Sequence, residues 1–151
     1  MRAHAVCHFA TLSQSIFAAW SVQLANGGRT SNTYFGRVEV FLDGAWGTVC
    51  GYSWNLTTET SVVCRQLGFP FAKPVSAGYY GPGSGRIWLT NVSCSGEEEE
   101  LRECSYNQVQ GPLQNCDHHD DIGVMCYMGE LSVCEILYAI QNLQYIIMQT
   151  T

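Results

Sequence analysis

Residues 36–50 read GRVEVFLDGAWGTVC. Val38, Val40 and Leu42 alternate with Arg37, Glu39 and Phe41, which is the period of a strand with one buried face. Asp43-Gly44 then supplies a strong hairpin signal, because both central positions of a type I′ turn need positive φ. Trp46, Thr48 and Val49 make the return strand. The stretch therefore predicts a β-hairpin that ends at Cys50.

Working outward, residues 55–69 (NLTTETSVVCRQLGF) predict a helix of about three turns. Asn55 or Thr57 can cap it, Glu59 suits its positive end and Gly68 stops it. Val63 and Leu67 share a face with Thr60, so the helix is expected to pack on the hairpin's sheet. A loop-rich stretch follows, with an edge strand expected at Val75 to Tyr80. The GPGSG run from Gly81 to Gly85 follows no buried strand and opens no clear helix, so a turn is preferred to a phosphate cradle. Ile87-Trp88-Leu89 reads as a short buried segment, GEEEELREC (residues 96–104) as a short helix led by acids, and Ile122 to Cys126 as a closing core strand. Trp46 and Trp88 are expected in the core, and Trp54 partly exposed.

The 151 residues are 46% apolar and 13% charged, enough to bury one core. The net charge of -6 and only seven Lys and Arg exclude the counterion release on which nucleic-acid binding depends. Residues 1–20 resemble a weak signal peptide. The C-terminal EILYAIQNLQYIIM is too short and carries too many amides for a membrane span, so no membrane insertion by this segment is expected. Residues 127–151 read as a tail of unclear structure.

Eight cysteines and fifteen glycines suit a loop-rich, disulfide-stapled fold in an oxidising compartment. Cys50, Cys64, Cys94, Cys104, Cys116 and Cys126 lie in the compact region, where spacing alone allows 15 pairings. No close CxxC pair supports a zinc site.

GRVEVFLDGAWGTVC, VVCRQLGF, GPGSGRIWLTNVSCSG, LRECSYN and the NC…DDIGVMC ending, in this order, resemble the scavenger receptor cysteine-rich (SRCR) domain over residues 22–126. The positions of the family's extra cysteine pair hold Tyr34 and Phe69, which is similar to the six-cysteine group A form. The resemblance implies an α+β fold in which a curved antiparallel sheet cradles a helix, with bridges Cys50–Cys116, Cys64–Cys126 and Cys94–Cys104. Cys7 would leave with a signal peptide. For Cys134 three readings stay open: a thiol, an intermolecular link, or a tail that is not a native continuation.

The resemblance also implies binding to protein, glycan or microbial surface ligands in an extracellular setting, in several members through calcium. Where relatives carry calcium-binding acids, this chain has Gly51, Tyr52, Asn55, Thr90 and Asn91. Only Asp120 and Asp121 keep the family's acidic pair, and calcium needs about six to eight oxygen ligands, so weak or absent calcium binding is expected and no cofactor is assigned. Asn55-Leu56-Thr57 and Asn91-Val92-Ser93 are glycosylation acceptors. His118 and His119 with the two acids have the residue types of a zinc or catalytic cluster, but neighbours in an extended segment point apart. A polar loop is preferred, and without a nucleophile motif no catalytic residue is assigned. The leading expectation is a scavenger-receptor-type binding module. The alternative is a non-catalytic accessory domain of a larger secreted protease or oxidase.

Overall fold

The structure, a computed structural model, describes residues 20–113, 115–129 and 133–150. The chain divides into two compact units, the first being Ala18–Gly129. The expected signal segment lies outside the described residues, apart from Trp20.

The first unit is built on three strands that follow one another: β1 (Ser21–Arg29), β2 (Thr33–Leu42) and β3 (Ala45–Val49). The turn between β2 and β3 has positive φ at both central residues, 47° at Asp43 and 81° at Gly44, as the hairpin signal requires. α1 (Thr58–Gln66) comes next, then β4 (Phe71–Pro74), β5 (Arg86–Ser93), β6 (Ser105–Gln108) and β7 (Gly123–Tyr127). Short 3₁₀ turns stand at Leu101–Glu103 and His118–Asp120. The strands form one mixed sheet in the order β4-β7-β2-β3-β5-β6, with β1 also on β2. β3 and β5 run parallel, because the chain between them crosses back through α1 and β4 instead of turning in a hairpin.

β2 takes three partners. β1 pairs along it from Tyr34 to Phe41. On its other edge β7 pairs with residues 33–37 and β3 with residues 39–42. At the division, Val38 N donates to Ile122 O and Ile122 N donates to Val49 O. This break lets the sheet curl around α1. Val62, Val63 and Cys64 of the helix are fully buried with Val38, Val40, Val49, Leu89, Leu101 and Val124.

The start of α1 agrees with the caps that the sequence offers: Thr57 stands at the N-cap position, and Asn55 Oδ1 accepts from the backbone of both Thr57 and Thr58 just ahead of the helix. The edge strand lies at Phe71–Pro74, not at Val75 to Tyr80. Phe71 stacks on Tyr127 of β7, and Pro74, which has no N–H to donate, is tolerated at an edge. Two tryptophans exchange roles. Trp54 is buried because its indole N–H reaches Thr60 Oγ1 at 3.2 Å, whereas Trp46 is 38% exposed and packs on Phe41 across the hairpin. Trp88 is in the core, donating to Ala45 O.

Bridges join Cys50 to Cys116, Cys64 to Cys126 and Cys94 to Cys104 across sequence separations of 66, 62 and 10. The middle one ties α1 directly to β7. The second unit contains α2 (Val133–Thr150), where an unclear tail was expected. After Gly129 the sequence has no Gly or Pro to break a helix. No helix of the described residues is long and apolar enough to cross a membrane. Cys134 is disulfide-bonded, which overturns its reading as a thiol.

On a chain-entropy account, a loop of 62 residues is worth about 4 kcal/mol when closed and one of 10 residues about 2.7 kcal/mol. The double variant C64A/C126A is therefore expected to lose more stability in chemical denaturation than C94A/C104A, by at least ~1 kcal/mol. Equal losses would count against the long-range tie as the larger contribution.

Candidate functional site

The surface near which most of the sequence-predicted site residues lie is made by β5, residues 109–113 and 115–121, and the GPGSG loop. Two adjoining hollows open there. The larger, about 440 Å³, is lined by Gly85, Arg86, Ile87, residues 109–113, Cys116, Asp117 and His118. The smaller, about 150 Å³, is lined by Tyr52, Thr90, Asn91, Leu113, Asn115 and Cys116. Leu113 and Cys116 belong to both.

Asp121 is the organiser of the loop above. Its side chain is fully buried. Oδ2 accepts from Gly83 N at 2.8 Å and from His118 Nδ1 at 2.9 Å, and its backbone carbonyl accepts from Gly78 N at 2.8 Å. Gly83 allows this approach because a Cβ there would meet Thr48, Asp121 and Arg37 at 2.5–3.0 Å. Arg37, also buried, donates to Gly81 O at 3.1 Å and pairs with Glu39 at 2.9 Å. Arg37 and Asp121 thus pin the loop from beneath, one through a carbonyl and the other through an amide. Sequence alternation places Arg37 on a solvent face, and no local pattern marks it as buried.

Asp120 does different work from its neighbour. Its Oδ2 accepts from Asp117 N at 3.1 Å, while Asp117 Oδ1 accepts from His119 N at 2.8 Å, and together they close the 3₁₀ turn. The backbone carbonyl of Asp120 accepts from Gly51 N. Asp120 and Asp121 line neither hollow. The 3₁₀ turn, where an extended segment was expected, still separates the histidines. His118 reaches inward to Asp121 and to Gly85 O at 3.1 Å, and His119 pairs with exposed Asp117.

The positions that the resemblance marks for calcium-binding acids are partly brought together. Tyr52, Thr90 and Asn91 share the smaller hollow, which no carboxylate lines. Asn55 lies apart at the start of α1, exposed. Asn91 is exposed at a bulge in β5 with φ 51°, a conformation Asn tolerates better than most residues.

A second polar centre, not foreseen from the sequence, fixes the loop before Cys104. Buried Glu59 accepts from Cys94 N at 3.0 Å, Arg65 donates to the carbonyls of Gly96 and Glu98, and Gln66 accepts from Leu101 N. Glu98 is held down to a pKa of about 2, first by the Ser95 amide and also by the Ser95 hydroxyl and Gly96 amide. Its carboxylate lies near the Cys94 and Cys104 sulfurs, which are bonded to each other and offer no thiolate.

Burial pushes the pKa of His118 down, and nearby Arg37 pushes the same way. The hydrogen bonds to Asp121 and Gly85 and the charge of Asp121 outweigh both, leaving it above its ordinary 6.5. Both ring nitrogens face acceptors, which suits the doubly protonated ring. A raised folded pKa means stability that is complete below about pH 6.5 and is lost as pH rises through the folded value. The unfolding midpoint of the chain is therefore expected to fall between about pH 6 and about pH 8, and H118Q to flatten that segment. Thermal unfolding across this range checks it. An unchanged slope in H118Q would remove His118 as the cause.

Residues 26–127 match the family model described as the scavenger receptor cysteine-rich domain. The chain is 47% identical over 92 residues to lysyl oxidase homolog 2B of Danio rerio and 45% identical over 97 residues to lysyl oxidase homolog 2 of Xenopus tropicalis. Those stretches are 60% and 64% of this chain but only 12% of either relative's length. Among solved structures, the dimeric form of the SRCR domain of mouse MARCO is similar at TM-score 0.56 and 40% identity, covering 67% of this chain and 94% of that one. The third SRCR domain of murine neurotrypsin is similar at TM-score 0.59 and 36% identity, covering 75% and 99%. With its curled mixed sheet around one helix and three bridges at these positions, the chain belongs to the scavenger receptor cysteine-rich family.

Proposed function

We propose that this chain contributes a non-catalytic accessory SRCR module to a larger secreted protein of the lysyl oxidase homologue kind. The observation that carries this reading is the extent of the likeness. Identity of 45–47% is confined to one SRCR-sized stretch that makes up 12% of the relatives. A module of this kind supplies a rigid, disulfide-braced surface for protein or glycan ligands and leaves chemistry to other domains of its parent. The bridges support an extracellular setting, since such cross-links persist in oxidising compartments. The wider expectation of a scavenger receptor for microbial surfaces has no comparable support.

The expected outcome of sequencing the full transcript is an open reading frame that continues into an oxidase domain. A frame that instead joins this module to a membrane segment without a catalytic domain would overturn the reading.

Within the proposal, ligand binding does not run through calcium. The carboxylates of Asp120 and Asp121 accept hydrogen bonds from the protein, and the hollow at Tyr52 and Asn91 offers only neutral oxygens, whereas calcium sites collect charged ones. Since binding to the native state alone raises stability, the thermal midpoint is expected to stay within ~1 °C between millimolar calcium and excess chelator. A saturable rise of several degrees would place a calcium site in the domain.

A further inference from the structure

The smaller hollow has the chemistry of a sugar site. Tyr52, 62% exposed, offers an aromatic face, Thr90 offers a hydroxyl, Asn115 an amide and Leu113 an apolar edge, and neither a carboxylate nor a basic group lines it. A pyranose presents an apolar C–H face together with neutral hydroxyls, so it suits an aromatic wall flanked by amide and hydroxyl partners better than an ion does. The hollow is small, about 150 Å³. That is room for part of one sugar ring, not for an extended oligosaccharide.

Asn91, the acceptor of Asn91-Val92-Ser93, is itself part of the wall. A sugar attached there begins at the rim of the hollow. Contacts between one sugar and one aromatic side chain are weak in free solution, but a tether raises the effective concentration to the millimolar range or above. Attachment thus supplies what the contact lacks. The bulge at Asn91, with φ 51°, marks the residue off from the regular strand on either side.

We propose that the hollow between Tyr52 and Asn91 is an intramolecular glycan seat: the first sugar of an N-linked chain on Asn91 stacks on Tyr52 and lies over the Cys50–Cys116 bridge, whose Cys116 lines the same hollow. This goes beyond the accessory-module reading and depends on glycosylation of Asn91. The seat converts the position at which relatives gather calcium acids into a glycan-covered face, and directs the remainder of the glycan along the neighbouring larger hollow.

The test uses the full chain secreted from glycosylating cells, as wild type and as Y52A. Tyr52 is well exposed, and its contact with Cys50 runs through the backbone amide, so Y52A keeps the fold. Glycopeptide masses before digestion establish the occupancy of Asn91. Peptide N-glycanase is then applied to the native proteins, and the release of the Asn91 glycan is followed with time. A seated first sugar must leave the hollow before the enzyme can reach its linkage, so the rate scales with the open fraction. Wild type is expected to release the glycan about tenfold more slowly than Y52A, with denaturation removing the difference. Equal native rates overturn the seat. An unmodified Asn91 before digestion overturns it at the earlier step, the modification itself, and the accessory-module reading stands or falls separately with the transcript.

Discussion

An extended strand has two hydrogen-bonding edges, and β2 serves three partners with them. β1 takes one edge whole, so β7 and β3 must divide the other. The division falls at Val38, where the backbone of Ile122 bonds to Val38 on one side and to Val49 on the other. A flat sheet cannot satisfy this arrangement. The strands on either side of the break diverge and curl, and α1 fills the concavity with Val62, Val63 and Cys64. The bridge from Cys64 to Cys126 then ties the helix to the strand that made the hollow. Removing water from this apolar lining and closing a long loop act on the same contact, so core and cross-link reinforce one another.

The same break explains the candidate site. Where β7 leaves β3, the turn carrying His118 to Asp121 is forced against the start of the GPGSG loop, and the polar groups caught beneath must find partners or carry the cost of lost hydration. Asp121 does so through Gly83 and His118, and Arg37 through Gly81 and Glu39. Taking these two charged side chains out of water carries a cost. Such a cost is tolerated where the groups fix a loop that nothing apolar could fix. The acidic pair of this chain is thus spent on holding the loop and closing the turn, and the site beside it is left with neutral groups.

The hairpin was legible because its signals are local. Alternation set the buried face, and Asp43-Gly44 set the turn. The core position of Trp88 and the closing strand near Cys126 were legible as apolar segments. What could not be read depended on partners distant in sequence. Trp54 is buried only because Thr60 accepts its N–H, and Trp46 is half exposed because Phe41 covers only one side of it. β4 exists because β7 offers it an edge and Tyr127 a ring to stack on, neither of which is visible in FAKP. Arg37 looked like a solvent-facing charge and Glu59 like an acid suited to a helix start, and their burial follows from a carbonyl and an amide 44 and 35 residues away. The parallel pairing of β3 with β5 is hidden for the same reason.

The two kinds of polar residue on this face have opposite thermodynamic characters. Arg37 and Asp121 are charged types held in fixed geometry, and any ligand competing for them would have to break bonds that keep the loop in place. Tyr52, Thr90, Asn91 and Asn115 are neutral and border open space, so a ligand displaces only water from them. On the accessory-module reading proposed above, recognition at this face would rest on shape and hydrogen bonding at its neutral end rather than on net charge. A net charge of -6 acts in the same direction, since it opposes the approach of polyanions.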